Sequence, residues 1–252
     1  LLLQDGRPPG ELAAEARAQV LQYPSVEWLE GEAVHAARTE EGFLVETAIG
    51  SRFTTRKLLL ATGVRDELPP LPGLAECWGI SALHCPYCHG FEVRGTPLGI
   101  LSSGPLAFEF ARVLRQWSPN LTLFTNGPSG LTEEQRCALA ERNITIEERE
   151  LASVEQVEGQ LQALRFRDGN THALNTLFVK PALTQTNSLA ESLGCTLNEM
   201  GLVAVDEWQR TSQPGIYAAG DNTTMFRALS LAIASGTKAG AFINKELVEE
   251  DF

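Results

Sequence analysis

The chain has 252 residues, five cysteines and a formal net charge of −12. At 43% hydrophobic and 21% charged residues it is a globular chain able to bury a core, and disorder and collagen are excluded. No apolar run approaches the roughly 18–20 residues that cross a bilayer, no signal-peptide pattern opens the chain, and no Lys/Arg cluster offers a footprint for nucleic acid or an anionic membrane. An odd, small number of cysteines suits a cytoplasmic protein with one special pair better than a disulfide-stapled fold.

From the N-terminus, Leu12, Ala16 and Val20 recur at fours and predict a helix over Glu11–Leu21. Alternating runs at Val26–Leu29, Val34–Ala36, Phe43–Thr47 and Arg52–Thr55, separated by turns such as Glu41-Gly42 and Gly50-Ser51, read as antiparallel strands. The continuous apolar run from Lys57 to Ala61, ending at Thr62-Gly63, reads as a strand buried on both faces. The Pro-rich Leu68–Gly73 cannot be helix or central strand and marks a domain boundary.

From Leu98 the pattern becomes β-α-β-α-β: strand Leu98–Ser102, helix Leu106–Trp117, strand Leu121–Phe124, helix Glu133–Arg142 and strand Ile144–Ile146. Thr132 with Gln135 forms a capping-box signal for the second helix. This alternation means a parallel sheet with crossover helices. Runs at Ser153–Glu158, Leu161–Arg167 and Ala173–Val179 predict an antiparallel cap. A strand Ile216–Ala219 runs into Gly220-Asp221, and a helix from Ala228 to Leu247 closes the chain.

Cys85-Pro86-Tyr87-Cys88 is the sharpest chemical feature. Two cysteines two residues apart at a turn into a helix can close a small disulfide. A thiolate attacking one sulfur then leaves the other as resolver. A zinc half-site needs a second ligand pair, and Cys137 and Cys195 stand alone. No metal is expected, and Cys77, Cys137 and Cys195 read as buried packing residues. His89 follows the pair and reads as its proton acceptor; His84 stays open between that role and packing.

Thr62-Gly63 and Gly220-Asp221 end predicted parallel strands, where ligands of open α/β sheets bind, and a carboxylate there can hold a ribityl or ribose hydroxyl. The turn Ser102-Ser103-Gly104-Pro105-Leu106-Ala107 is similar to a dinucleotide fingerprint with Gly104 and Ala107 in place and Ser102 at the first Gly position. After the next strand Phe124-Thr125-Asn126-Gly127 offers no carboxylate for a ribose and no cation for a 2′-phosphate; the first basic residue beyond is Arg136. Ser103, Gly104 and Ala107 therefore read as an eroded nicotinamide-nucleotide site, and NADPH as a doubtful donor.

Together, Leu60-Ala61-Thr62-Gly63, the Cys85/Cys88 pair, the altered fingerprint and Gly215–Asp221 resemble the low-molecular-weight thioredoxin-reductase-like flavoproteins. Cys85-Pro86-Tyr87-Cys88-His89-Gly90 resembles most closely the branch of gliotoxin- and holomycin-type dithiol oxidases, since thioredoxin reductases proper usually carry Asp where this chain has His89. The resemblance implies an α/β fold of two Rossmann-like nucleotide-binding domains, one inserted in the other, with antiparallel caps. An FAD domain would occupy 1–66 and 183–252, and an NAD(P)-like domain carrying the dithiol 67–182. It implies FAD, held by Thr62, Gly63, Gly220 and Asp221, with Asp5-Gly6 and Arg227-Ala228-Leu229 near the flavin. Cys88 would face the flavin and Cys85 exchange with substrate.

The family's glycine-rich N-terminal βαβ unit would lie upstream of Leu1, and a homodimer is implied. The expected function is FAD-dependent oxidation of a small or protein dithiol, with oxygen as acceptor. The alternatives are an NADPH-dependent disulfide reductase running the other way and a non-catalytic truncated paralogue.

Overall fold

The computed structural model describes residues 4–252. The chain divides into two compact units, one holding the residues up to Arg65 together with Leu183–Phe252, the other Asp66–Ala182. None of the described helices is long and apolar enough to cross a membrane.

The Asp66–Ala182 unit is built on a five-stranded sheet. Its order is Ala82–Leu83, Leu177–Val179, Leu98–Leu101, Leu121–Phe124, Thr145–Glu147, and every pairing is parallel. All residues of Leu98–Leu101 and Leu177–Val179 are buried, as a sheet covered on both faces requires. On one face Ala107, Phe110, Ala111 and Leu114 of helix Gly104–Leu114 pack with Ile100, Leu123 and Phe178. On the other face Leu101, Phe124, Leu177 and Val179 meet Leu151, Leu164 and Phe166 of an antiparallel cap. The cap strands are Leu151–Val157, Gln160–Phe166 and Thr171–Ala173.

In the other unit Ala33–Thr39, Gly42–Thr47 and Arg52–Thr55 form an antiparallel sheet. Leu58–Leu60 pairs in parallel with Ile216–Ala218, so Leu60 and Ala218 end side by side. Phe43, Leu60, Val203, Ile216 and Ala218 form the core. The closing helix, Leu229–Asp251, is tied to the parallel pair through Lys57, whose ammonium lies 2.9 Å from Glu246 and also meets Glu250. Burial pushes the Tyr217 phenol up to about 12, and its hydroxyl donates to the Phe242 carbonyl at 3.4 Å.

Several expectations need correction. Val26–Leu29 is irregular and exposed, and within it Trp28 lies under the Arg17 guanidinium, 4.4 Å away. The run Ala173–Val179 is two elements: it breaks at Asn175-Thr176, leaving Thr171–Ala173 in the cap and sending Leu177–Val179 into the middle of the parallel sheet. The helix expected over Leu106–Trp117 spans Gly104–Leu114, because Pro105 is preset for a first helical turn. Helix Pro9–Val20 forms, yet none of its residues is fully buried. The strand from Lys57 is shorter than expected, and of Leu58–Leu60 only Leu60 is fully buried.

Candidate active site

Strand Ala82–Leu83 delivers the chain into the cysteine turn. Cys85 is extended, and Pro86 starts a single helical turn, Pro86–His89. The N–H groups of Cys88 and His89 both donate to the Cys85 carbonyl at 3.2 Å. This folds the two-residue spacing back on itself and sets the two sulfurs against each other, 2.6 Å apart, with no disulfide between them. Cys85 is half-buried, Cys88 exposed and His89 half-buried on the same turn. The ring of His84 lies 6.0 Å from Trp78, a packing contact.

Gly90 sets where this turn sits. A Cβ there would lie 2.4 Å from the Pro86 carbonyl oxygen and 2.6 Å from the Trp117 indole. Only glycine lets the indole lie flush against the backbone that carries the cysteines.

The other three cysteines differ from one another. Cys77 and Cys195 are buried, and burial raises both thiols. Cys137 is exposed, contrary to expectation, because it sits on the solvent side of helix Glu133–Ala140 beside Glu133.

A second cluster gathers at the carboxyl ends of the parallel pair. Gly63 and Gly220 have φ of +65° and +88°, and nothing lies within 4 Å of where either Cβ would be. The backbone here is open to a ligand. The Thr62 carbonyl accepts from the Thr186 hydroxyl at 3.0 Å, and the Gly220 N–H donates to Ser235 at 3.0 Å. Asn222, fully buried, donates its amide to the Leu60 carbonyl at 3.0 Å, while its Oδ1 finds no partner. Asp221 is half-buried next to that orphan acceptor.

Ala228 begins the closing helix without a side-chain cap, and Arg227 beside it is half-buried. Gln4, Leu12, Leu229 and Ile233 line one groove of about 400 Å³, which brings the N-terminal segment of Asp5 and Gly6 to the start of that helix. Open glycine backbone, a carboxylate and an unpaired buried amide oxygen fit the hydroxyl-bearing part of a flavin.

At the fingerprint turn, Gly104 has φ +66° and its N–H donates to the Ser129 carbonyl at 2.7 Å. Ser103 is exposed, and Ala107 is fully buried as a close-packing residue of the helix. Arg136 is engaged by Ser129 Oγ at 2.6 Å and by Glu148. Hydrogen bonds from the Ser129 backbone and side chain and from Arg136 hold the Glu148 carboxyl down to about 2.

Residues 4–238 match the family described as pyridine nucleotide-disulphide oxidoreductase. The chain belongs to that family. Among its relatives, thioredoxin reductase tcpT of Claviceps purpurea is 34% identical, with 98% of this chain and 80% of that protein covered. The crystal structure of HlmI is matched with a TM-score of 0.91 at 35% identity, over 98% of this chain and 78% of that one. The oxidoreductase from Agrobacterium tumefaciens matches with a TM-score of 0.89 at 36% identity, over 97% and 82% respectively. This pyridine nucleotide-disulphide oxidoreductase thus has the two-domain α/β nucleotide-binding fold of thioredoxin reductases, and it is an enzyme of the disulfide oxidoreductase class.

Sequence reasoning missed three residues of this oxidoreductase. Trp117 reads in the sequence only as the end of a helix, although its packing on Gly90 positions the cysteine turn. Asn222 stands behind Asp221 in the sequence, and its buried amide ties the turn Asp221–Thr223 to the end of strand Leu58–Leu60. Glu148, which captures Arg136, lies beyond the motif in which a nucleotide contact would be sought.

Proposed function

We propose that the protein oxidises a dithiol through Cys85 and Cys88 with FAD as cofactor. The observation that carries this reading is the accessible helical turn that sets the Cys85 and Cys88 sulfurs directly against each other. With the pair oxidised, a substrate thiolate attacks Cys85 Sγ; the Cys85–Cys88 bond breaks and Cys88 leaves as a thiolate. The second substrate thiolate then attacks the substrate sulfur of the mixed disulfide and displaces Cys85. The substrate departs as a disulfide, and its two electrons stay on the reduced pair.

His89, one residue from Cys88, takes up the proton released as the attacking thiol ionises. Thr62, Gly63, Gly220 and Asp221 hold the cofactor's ribityl side, with Asp5, Gly6, Arg227, Ala228 and Leu229 around it. Bound FAD would supply the two-electron acceptor that returns the reduced pair to its disulfide, with oxygen as the final oxidant. The engaged Gly104 N–H and Arg136 favour this direction over reduction by NADPH. The second reading, a disulfide reductase, draws support from the name thioredoxin reductase carried by the relative tcpT.

The test is anaerobic addition of a small dithiol to flavin-loaded protein, followed in the flavin absorbance band. Rapid bleaching that recovers in air is expected. Fast bleaching by NADPH with no response to any dithiol would leave the reductase reading in its place.

A further inference from the structure

Beside the cysteine turn, within the same unit, lies a groove of about 490 Å³. Tyr87, the residue between Pro86 and Cys88, forms part of its wall and is 75% exposed. Arg112, Arg115, Trp117 and Arg142 line it together with Glu109. Three guanidinium groups and one carboxylate line this groove on a chain whose net charge is −12.

The three arginines are not equally engaged. Arg112 Nη1 is 3.0 Å from both oxygens of Glu109, which neutralises it. Arg115 donates only its Nε, to the Arg142 carbonyl at 3.4 Å, and its terminal nitrogens meet no carboxylate among the described residues. Arg142 donates to the Ala138 carbonyl at 3.0 Å and has the Glu141 carboxylate at 3.6 Å, a loose contact. Arg115 and Arg142 therefore present planar donors to a groove that the aromatic side chains of Tyr87 and Trp117 also line. That combination matches a carboxylate carried on an apolar or planar body. On an otherwise acidic protein it is also the place that draws an anion in.

We infer that this groove selects the substrate of the Cys85/Cys88 pair by binding a carboxylate on the incoming dithiol. The inference rests on the proposed dithiol exchange and names the class of substrate that reaches it. A carboxylate on a small dithiol and an acidic side chain flanking a peptide dithiol offer the same chemistry.

The experiment oxidises the pair in the 252-residue chain and follows its reduction by acid quench, alkylation and mass spectrometry, with no flavin signal required. Dihydrolipoate and dihydrolipoamide are compared, since they share a dithiol and differ in the carboxylate. Reduced Cys-Gly-Pro-Cys peptides flanked by Glu or by Gln form the second arm. The carboxylate-bearing probe of at least one arm should react about tenfold faster than its neutral counterpart at low salt. Arg115→Gln and Arg142→Gln should remove that preference while leaving the neutral probe's rate unchanged, and high salt should do the same. A preference confined to one arm identifies the source of the carboxylate. Equal rates for charged and neutral probes in both arms, or variants that slow both kinds alike, overturn the groove while the dithiol reading stands. If no dithiol reduces the pair, both readings fall.

Discussion

The backbone N–H of Gly104 donates to the carbonyl of Ser129 at 2.7 Å, so the amide at the centre of the fingerprint turn is already engaged by the chain itself. A pyrophosphate bound at a strand-to-helix turn depends on such amides being free. Arg136, the first cation after the second strand, is held by Ser129 and Glu148 in the same way.

The nucleotide prediction follows from those two bonds. A charge-assisted hydrogen bond contributes about 1.5–3 kcal/mol, so two missing contacts weaken NADPH by roughly two to four powers of ten. Sub-millimolar NADPH should bleach the flavin-loaded protein slowly or not at all in anaerobic stopped-flow. Ser102→Gly alone should not speed it, because it restores the small residue but frees neither Gly104 nor Arg136. A large gain from Ser102→Gly would show that the side chain, and not the engaged amide, is the obstacle.

The dithiol prediction separates the roles of two cysteines that share one turn. Cys88→Ser should trap the disulfide form of the substrate on Cys85, whose thiolate opens the substrate S–S bond to a mixed disulfide while the resolving thiolate is gone. Cys85→Ser should trap little, because the exchanging sulfur is removed. Intact-mass measurement after brief exposure to the disulfide form of a small dithiol checks both. Cys137, being exposed, will react with alkylating agents in every variant and serves as the internal reference.

What could be read from the chain was whatever depends on local spacing. The Leu98–Phe124 alternation, the Thr132/Gln135 capping box and the Cys85/Cys88 pair are all written within a few residues, and each has its counterpart in the structure. Features that depend on distant partners could not be read. Leu177–Val179 looks like the tail of a cap strand until Gly99 and Leu83 are known to flank it. Arg136 looks available until Glu148 is placed beside it. Val26–Leu29 has the alternation of a strand, but among the described residues no strand pairs with it.

The positioning of the cysteine turn can be tested at Gly90. Gly90→Ala places a methyl 2.6 Å from the Trp117 indole and 2.4 Å from the Pro86 carbonyl oxygen, so one of them must move. Overpacking of this kind costs about 1–3 kcal/mol. Thermal unfolding should show the loss, and disulfide exchange at Cys85 should slow. Trp117→Leu added to Gly90→Ala should recover part of both, because the shorter side chain vacates the contested space. Independent, additive effects would show that the two residues do not oppose each other.

At the carboxyl ends of Leu58–Leu60 and Ile216–Ala218, two adjacent residues should behave differently. Asp221→Asn removes a half-buried carboxylate from the proposed ribityl site and should weaken FAD about tenfold or more with little change in the stability of the flavin-free chain. Asn222→Ala removes the amide that reaches the Leu60 carbonyl and should cost about 1–3 kcal/mol of stability whether or not flavin is present. Flavin fluorescence titration and thermal unfolding of the flavin-free chain distinguish the two. A stability loss in Asp221→Asn equal to that in Asn222→Ala would make Asp221 structural.

Glu148 supplies a pH signature. Its carboxyl is held at about 2 against an ordinary 4.5 by the Ser129 backbone and side chain and by Arg136. A carboxyl depressed on folding stabilises the fold in its ionised form, so the contribution is complete above the ordinary value and disappears as pH falls through the folded one. The side chain is 39% exposed, which limits the effect through solvent screening to about 1 kcal/mol, or roughly 2–4 °C in Tm for a domain of this size. Glu148→Gln keeps an acceptor for the Ser129 N–H but loses the charge opposite Arg136. The variant should therefore unfold at lower temperature than the parent at pH 7, with the gap constant down to about pH 5, narrowing below 4.5 and closing near pH 2. A gap that persists unchanged to the acid limit would mean that the loop is held by hydrogen-bond geometry alone and that the ion pair with Arg136 contributes nothing.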